Sequence, residues 1–236
     1  MDFSLSEKYE LIGKDGQKKL QSKTVALIGL GGLGSAVAQI LVRSDINLRI
    51  VDKDRVKSED VPRQSLYVAE DENKFKAKQA KKRLEEINKQ VKIKTFHEEL
   101  VKENLFLLDS DLIIDATNDM KTSLLINKFA LDKKIPLVVG NYAGDHGHLV
   151  IVERLQNKKG PCIACLGKKM ALPSHKEAGV YPPTATFLAA LVASAAIKNL
   201  LGYENVHSTV SVDMILTEVK HRTIKKCKDC EHCKGK

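Results

Sequence analysis

Residues 25–52 leave this chain few folds to choose from. Val25-Ala26-Leu27-Ile28 is a short unbroken apolar run that leads straight into Gly29-Leu30-Gly31-Gly32-Leu33-Gly34. Such a run reads as a strand buried on both faces of a parallel sheet. Ser35 to Arg43 then reads as a helix with Ala36, Val37, Ile40 and Leu41 inward, and Leu48-Arg49-Ile50-Val51 as a second strand ending at Asp52. A right-handed crossover sets the two strands side by side, so the segment is one βαβ unit. Gly29, Gly31 and Gly34 match G-x-G-x-x-G: glycine permits the tight turn, and the helix N-terminus offers free N–H groups to phosphate. Asp52 stands 18 residues after Gly34, where an acidic side chain accepts bonds from ribose hydroxyls. These features fit ATP and NAD equally well.

The rest of the chain extends the same pattern. A polar loop over 53–73 precedes a charged helix over 74–88 and a strand over 91–96, and 103–108 reads as a short helix. Leu112-Ile113-Ile114 is a third buried strand ending at Asp115. A helix over 120–132 leads to the strand Pro136-Leu137-Val138-Val139, a turn at Asn141-Tyr142-Ala143-Gly144, and a strand over 148–153. Residues 156–183 read as loop, 184–201 as a strongly apolar helix, and 209–219 as a strand. The fold expected is α/β, a Rossmann-like, doubly wound, mostly parallel sheet with an additional C-terminal strand region. It divides into an N-terminal arm (1–22), a nucleotide-binding half (23–155) and a crossover, apolar-helix and tail region (156–236).

Composition narrows the partners. The 236 residues are 43% hydrophobic and 29% charged, ordinary values for a soluble globular protein. No apolar stretch reads as long enough to span a bilayer, and the first residues lack a signal peptide's basic and apolar regions, so a cytoplasmic protein is expected. The net charge of +9 points to an anionic partner. With five tyrosines, six phenylalanines and no tryptophan, no basic stripe is interleaved with aromatics, which argues against nucleic acid.

All five cysteines fall in two clusters, Cys162/Cys165 and Cys227/Cys230/Cys233. Paired C-x-x-C spacing in a reducing compartment favours a structural zinc staple joining a mid-chain loop to the tail.

Taken in order, Gly-Leu-Gly-Gly-Leu-Gly, Val51-Asp52-Lys53-Asp54, Pro62-Arg63-Gln64, Lys76, Asp115-Ala116-Thr117, Glu177-Ala178-Gly179-Val180 and the cysteine pairs resemble the ThiF/MoeB/HesA family, prokaryotic relatives of ubiquitin-activating enzymes. The resemblance covers nearly the whole chain. It implies an adenylyltransferase that binds ATP and Mg²⁺ and lets a carboxylate attack the α-phosphate. The expected carboxylate is the C-terminal glycine of a ubiquitin-like sulfur-carrier protein; a small cofactor-precursor carboxylate is the variant. It also implies a nucleotide site at Gly29, Gly31, Gly32, Gly34, Asp52, Asp54, Arg63, Gln64, Lys76, Asn118 and Asp119, with Arg63, Lys76 and Asp119 in the chemistry. The family's zinc pair falls on Cys227 and Cys230, leaving Cys233 spare beside the ligand set Cys162, Cys165, Cys227 and Cys230. Members are generally homodimers.

The chain departs from the family pattern in three places. Where Asp-x-Thr-Asp-Asn is usual, this chain has Asp115-Ala116-Thr117-Asn118-Asp119, so the expected magnesium position carries Asn118 and the carboxylate moves to Asp119. A cysteine two residues before Glu-Ala-Gly-Val is here His175, which argues against a thioester step. Where an arm arginine is expected, the chain has no arginine before residue 43, only Lys8, Lys14, Lys18, Lys19 and Lys23. Two other classes compete, an NAD-dependent oxidoreductase and a scaffold that kept the fold without its chemistry.

Overall fold

Side-chain alternation inside the central strand sets the layers. In the computed structural model, which describes residues 1–152, 161–166, 175–203 and 209–233, β1 (Thr24–Ile28) sends Val25 and Leu27 to one apolar layer and Ala26 and Ile28 to the other. β2 (Asn47–Val51) and β4 (Leu112–Asp115) flank it in parallel, with β3 (Ile93–Phe96) outside β2 and β5 (Leu137–Ala143) outside β4. The sheet continues antiparallel through β6 (His146–Val152), β7 (Thr209–Asp213) and β8 (Glu218–Arg222). The resulting order is β3-β2-β1-β4-β5-β6-β7-β8. This is the expected α/β fold with a mostly parallel sheet.

Both faces are covered, which is why the central strands are apolar on both sides. After α1 (Ser4–Lys8) and α2 (Gly13–Gln21), α3 (Gly32–Arg43) and α4 (Lys76–Ile87) lie on one face, joined there by α8 (Pro182–Leu201). α5 (Met120–Lys133) and the short α6 (Ile163–Leu166) cover the other face; α7 (His175–Ala178) leads toward α8. α8 is bounded as its sequence dictates: prolines open its first turn, and Gly202 caps its end at φ 95°. Lys19 donates to the carbonyl of Leu201 at 2.7 Å, tying α2 to that negative helix end.

Five expectations are corrected. α8, with 20 residues and a mean hydropathy of 1.5, is long and apolar enough to cross a membrane, contrary to the reading that no stretch is; here it packs along α3 and the β5–β6 pair as a core helix. β5 does not turn at 141–144 but runs on to Ala143, pairing Tyr142 with Gly147, and reverses at Gly144. The strand expected over 209–219 is a hairpin. Asp213 Oδ1 accepts the N–H groups of Ile215 and Leu216 at 3.1 and 3.0 Å, an Asx turn that ends β7. The polar loop over 53–73 holds two 3₁₀ turns, Ser58–Asp60 and Ala69–Asp71, each burying its aspartate. The loop expected over 156–183 carries the short helices α6 and α7 in its described part; Pro173 lies outside the described residues.

Candidate active site

The glycines of the first turn do different work. Gly29 sits at φ 87°, and a Cβ there would meet the carbonyl of Ala116 at 2.8 Å, so neither backbone nor space admits a side chain. A Cβ on Gly34 would run into the carbonyl of Gly29, so this glycine lets α3 start against its own loop. Gly31 is the N-cap of α3, and a Cβ there would meet nothing within 4 Å. The open space beside it is a cleft of about 410 Å³ at the C-terminal ends of the parallel strands, a size typical of small-molecule sites. The first-turn N–H groups of α3 have no partner within the helix and stand at its wall.

Asp52 ends β2 inside the cleft. Its carboxylate accepts the N–H of Leu30 at 2.6 Å and of Asp54 at 2.7 Å, so it braces the glycine loop as well as facing the cleft. Burial pushes its carboxyl above the ordinary aspartate range, against those two bonds. Asp54 is exposed, and its carbonyl accepts the N–H of Lys76 at 3.0 Å, which anchors the start of α4.

One buried carboxylate organises the cationic wall. Asp60 accepts Arg63 Nη2 at 2.8 Å and Gln64 Nε2 at 2.6 Å on Oδ1, and pairs with Lys76 Nζ at 3.0 Å through Oδ2. The side chains of Lys76 and Asp60 are only 7% and 3% exposed. A lysine on a lysine-rich helix reads as solvated from sequence, yet α4 turns this one inward. The only sequence hint of Asp60 is an acidic residue three before Arg63, a spacing too common to single it out. Asp60 is one residue that sequence reasoning missed. Gln64 is buried, and its Oε1 has no hydrogen-bond partner among the described residues.

The exchanged Asn118-Asp119 pair has a local cause. Position 118 sits at φ 55°, a left-handed conformation that asparagine tolerates. Asp119 is the N-cap of α5, accepting the N–H and hydroxyl of Thr122 at 2.9 and 2.6 Å. Burial works against its ionisation, but those bonds outweigh it and hold its carboxyl below the usual range. Asn118 turns toward β5: its Oδ1 accepts the N–H of Tyr142 at 3.3 Å, and its Nδ2 lies 3.3 Å from His175 Nε2. His175 Nε2 is 2.9 Å from the carbonyl of Tyr142, an acceptor only, so this nitrogen carries the proton. Burial holds the His175 imidazole below its usual range, which favours the neutral ring. Deeper still, Asp115 accepts the N–H and hydroxyl of Thr117 at 3.0 and 2.7 Å and the hydroxyl of Ser123, closing the base of β4.

Away from the cleft, four sulfurs converge. Cys162 Sγ lies 3.9 Å from Cys165 Sγ and 3.7 Å from Cys230 Sγ, and Cys165 Sγ lies 3.5 Å from Cys233 Sγ. All four lie within 4.8 Å of one another, and all five cysteines are free thiols. The tail pairing expected from sequence is therefore corrected: Cys230 and Cys233 face the loop pair, while Cys227 is exposed, its Sγ 3.5 Å from the carbonyl of Cys165. Both Cys227–Cys230 and Cys230–Cys233 have C-x-x-C spacing, so spacing could not choose; burial chooses, with Cys233 wholly enclosed.

Comparison with known proteins agrees with this geometry. The ThiF family profile matches residues 5–233. The chain is 35% identical over 200 residues to a sulfur carrier protein adenylyltransferase of Thermus thermophilus, covering 81% of this chain and 74% of that protein. It is 29% identical over 226 residues to the molybdopterin-synthase adenylyltransferase of Escherichia coli, covering 93% and 90%. Among solved structures it superposes on E. coli MccB with MccA-N7isoASN at a TM-score of 0.81, with 21% identity over 93% of this chain and 69% of that one. That last likeness is one of fold.

Proposed function

The chain belongs to the ThiF family and is an adenylyltransferase of that family's type, and on that premise we propose that it uses ATP to activate a carboxylate as an acyl-adenylate. The observation that carries this reading is the Asp60 anchor, which holds Arg63 and Lys76 together on the wall of the cleft that Gly31 leaves open. In the reaction a carboxylate oxygen bonds to the α-phosphorus as the bond to pyrophosphate breaks. No proton need move; negative charge is redistributed, and fixed cations stabilise it. Arg63 offers a planar fork and Lys76 a point charge. Asp60 neutralises one side of each and fixes both orientations. Asp52 accepts the ribose hydroxyls, and donors there favour the ionised form that burial disfavours.

The cleft fits magnesium through Asp119, the carboxylate that would hold it beside the nucleotide phosphates. Asn118 is already engaged through Oδ1 with the N–H of Tyr142. When bound, the metal neutralises phosphate charge. The four thiols fit zinc: with Zn–S bonds of about 2.3 Å a tetrahedron has edges of about 3.8 Å, close to the 3.5–3.9 Å between paired sulfurs. Cys162, Cys165, Cys230 and Cys233 would hold it as a staple between loop and tail. Phe187, exposed on α8 with Ala190 beside it, supports a homodimer.

The names of the relatives support a sulfur-carrier C-terminus as the carboxylate. His175, where a cysteine would serve thioester chemistry, supports release of the adenylate without a covalent enzyme intermediate and keeps a small carboxylate as a second reading. Exchange of labelled pyrophosphate into ATP, run with a carrier protein and with small carboxylates, separates the two. Exchange should depend on the carboxylate and disappear in Arg63→Ala. Activity surviving in that variant would overturn the assigned cationic wall, and no exchange with any carboxylate would overturn the reading itself.

A further inference from the structure

Tyr142 is the one buried phenol on the cleft wall whose oxygen makes no hydrogen bond among the described residues, although the residue is only 2% exposed. A buried hydroxyl without a partner costs free energy, and a native fold seldom retains one without use. This hydroxyl stands directly over Gly32, in the first turn of α3; a Cβ there would collide with it. Burial raises the phenol's pKa, and the Arg63 guanidinium is close enough to lower it, by its charge and as a weak hydrogen-bonding neighbour, without completing a full hydrogen bond. The oxygen thus lies between the helix N-terminus and the arginine, the two groups that receive phosphate in the function proposed above.

The ring cannot easily turn away. Its backbone is clamped on both sides, the N–H by Asn118 Oδ1 at 3.3 Å and the carbonyl by His175 Nε2–H at 2.9 Å. The His175 ring packs on the phenol with centroids 4.6 Å apart. Asn118 and His175 are two of the positions at which the sequence leaves its family's pattern, and both meet at this tyrosine. The extension of β5 past its expected end is what brings Tyr142 here.

We propose that the Tyr142 hydroxyl is a further substrate-binding group, donating a hydrogen bond to a nonbridging phosphate oxygen of the nucleotide held between the α3 N-terminus and Arg63, with His175 and Asn118 as its positioning residues. The donor is preorganised, so its bond is gained without rearrangement when phosphate enters. No bond is made or broken by the phenol, and it keeps its proton. Gly32 acquires a second reason to be glycine: it leaves room for this oxygen.

The test is Tyr142→Phe, which removes one atom and keeps the packing. ATP affinity by calorimetry should fall about tenfold, as expected for a hydrogen bond to a charged group, with a melting temperature no lower than that of the wild type. An affinity within about twofold of wild type overturns the assignment. His175→Ala should weaken ATP binding in the wild-type background but add nothing in Tyr142→Phe. His175→Gln, which retains an N–H for the Tyr142 carbonyl, should restore binding. An equal effect of His175→Ala in both backgrounds, or no rescue by glutamine, overturns the positioning role. This inference rests on the nucleotide reading of the cleft, but the two fail separately. If wild type binds ATP yet catalyses no exchange, the activity reading is lost, while the affinity of Tyr142→Phe still decides the role of the hydroxyl.

Discussion

A buried carboxylate that touches three cleft residues controls more than a surface charge can. Asp60 is enclosed with Lys76, and water cannot replace either partner. Removing one member of such a pair strands the other, which costs about 3–5 kcal/mol. Asp60→Ala should therefore lower the unfolding free energy by that order in urea titration. Asp60→Asn keeps the shape and a hydrogen-bond acceptor but not the charge, so Arg63 and Lys76 lose their fixed orientation. It should fold and yet slow pyrophosphate exchange about 10²-fold, the scale set by small misplacements of catalytic groups. A rate close to wild type would mean the two cations need no anchor.

Within the strand–turn–helix element, glycines that look alike in sequence are held to different standards. Gly34 is packed against the carbonyl of Gly29, whereas Gly31 faces open cleft. Gly34→Ala should cost at least about 2 kcal/mol, because the obstacle is backbone and cannot swing aside. Gly31→Ala should leave stability within about 0.5 kcal/mol and weaken ATP binding about tenfold, by standing a methyl where phosphate meets the helix N-terminus. Thermal unfolding and calorimetry on the two variants check this. Equal destabilisation by both would mean that Gly31 is packed as tightly as Gly34. The same element explains why Asp52 serves the loop and the cleft at once: its two backbone bonds lock the turn that opens beside it.

Across the whole molecule, the tail and the loop after β6 bring four sulfurs together, and the register of the proposed zinc staple can be read from metal content. Cys233→Ser should lose bound zinc and melt at lower temperature, while Cys227→Ser should retain both. The reverse outcome would restore the Cys227–Cys230 pair. Zinc per chain by atomic spectroscopy and a melting curve are sufficient.

Much of this architecture is legible in the chain itself, because its signals are local. A buried strand, a glycine turn and a helix face are read within a dozen residues, so β1, β2, β4, α3 and Asp52 could be named before any coordinates, whereas Arg63 and Lys76 rest on the family resemblance. The boundaries of β5 and of the β7–β8 hairpin could not, since antiparallel pairing with a distant strand sets where each ends. Neither could Asp60 or Tyr142. An aspartate in a polar loop and a tyrosine at an expected turn look ordinary until folding buries them, one against two cations and the other over Gly32. The choice of Cys233 over Cys227 likewise waited on which thiol the tail turns inward. By itself, then, the sequence determined the sheet, the nucleotide cradle and the chemistry of the side chains. Only the tertiary structure decided which of them share a wall, because burial and pairing at long range are properties of the packed chain, not of any segment within it.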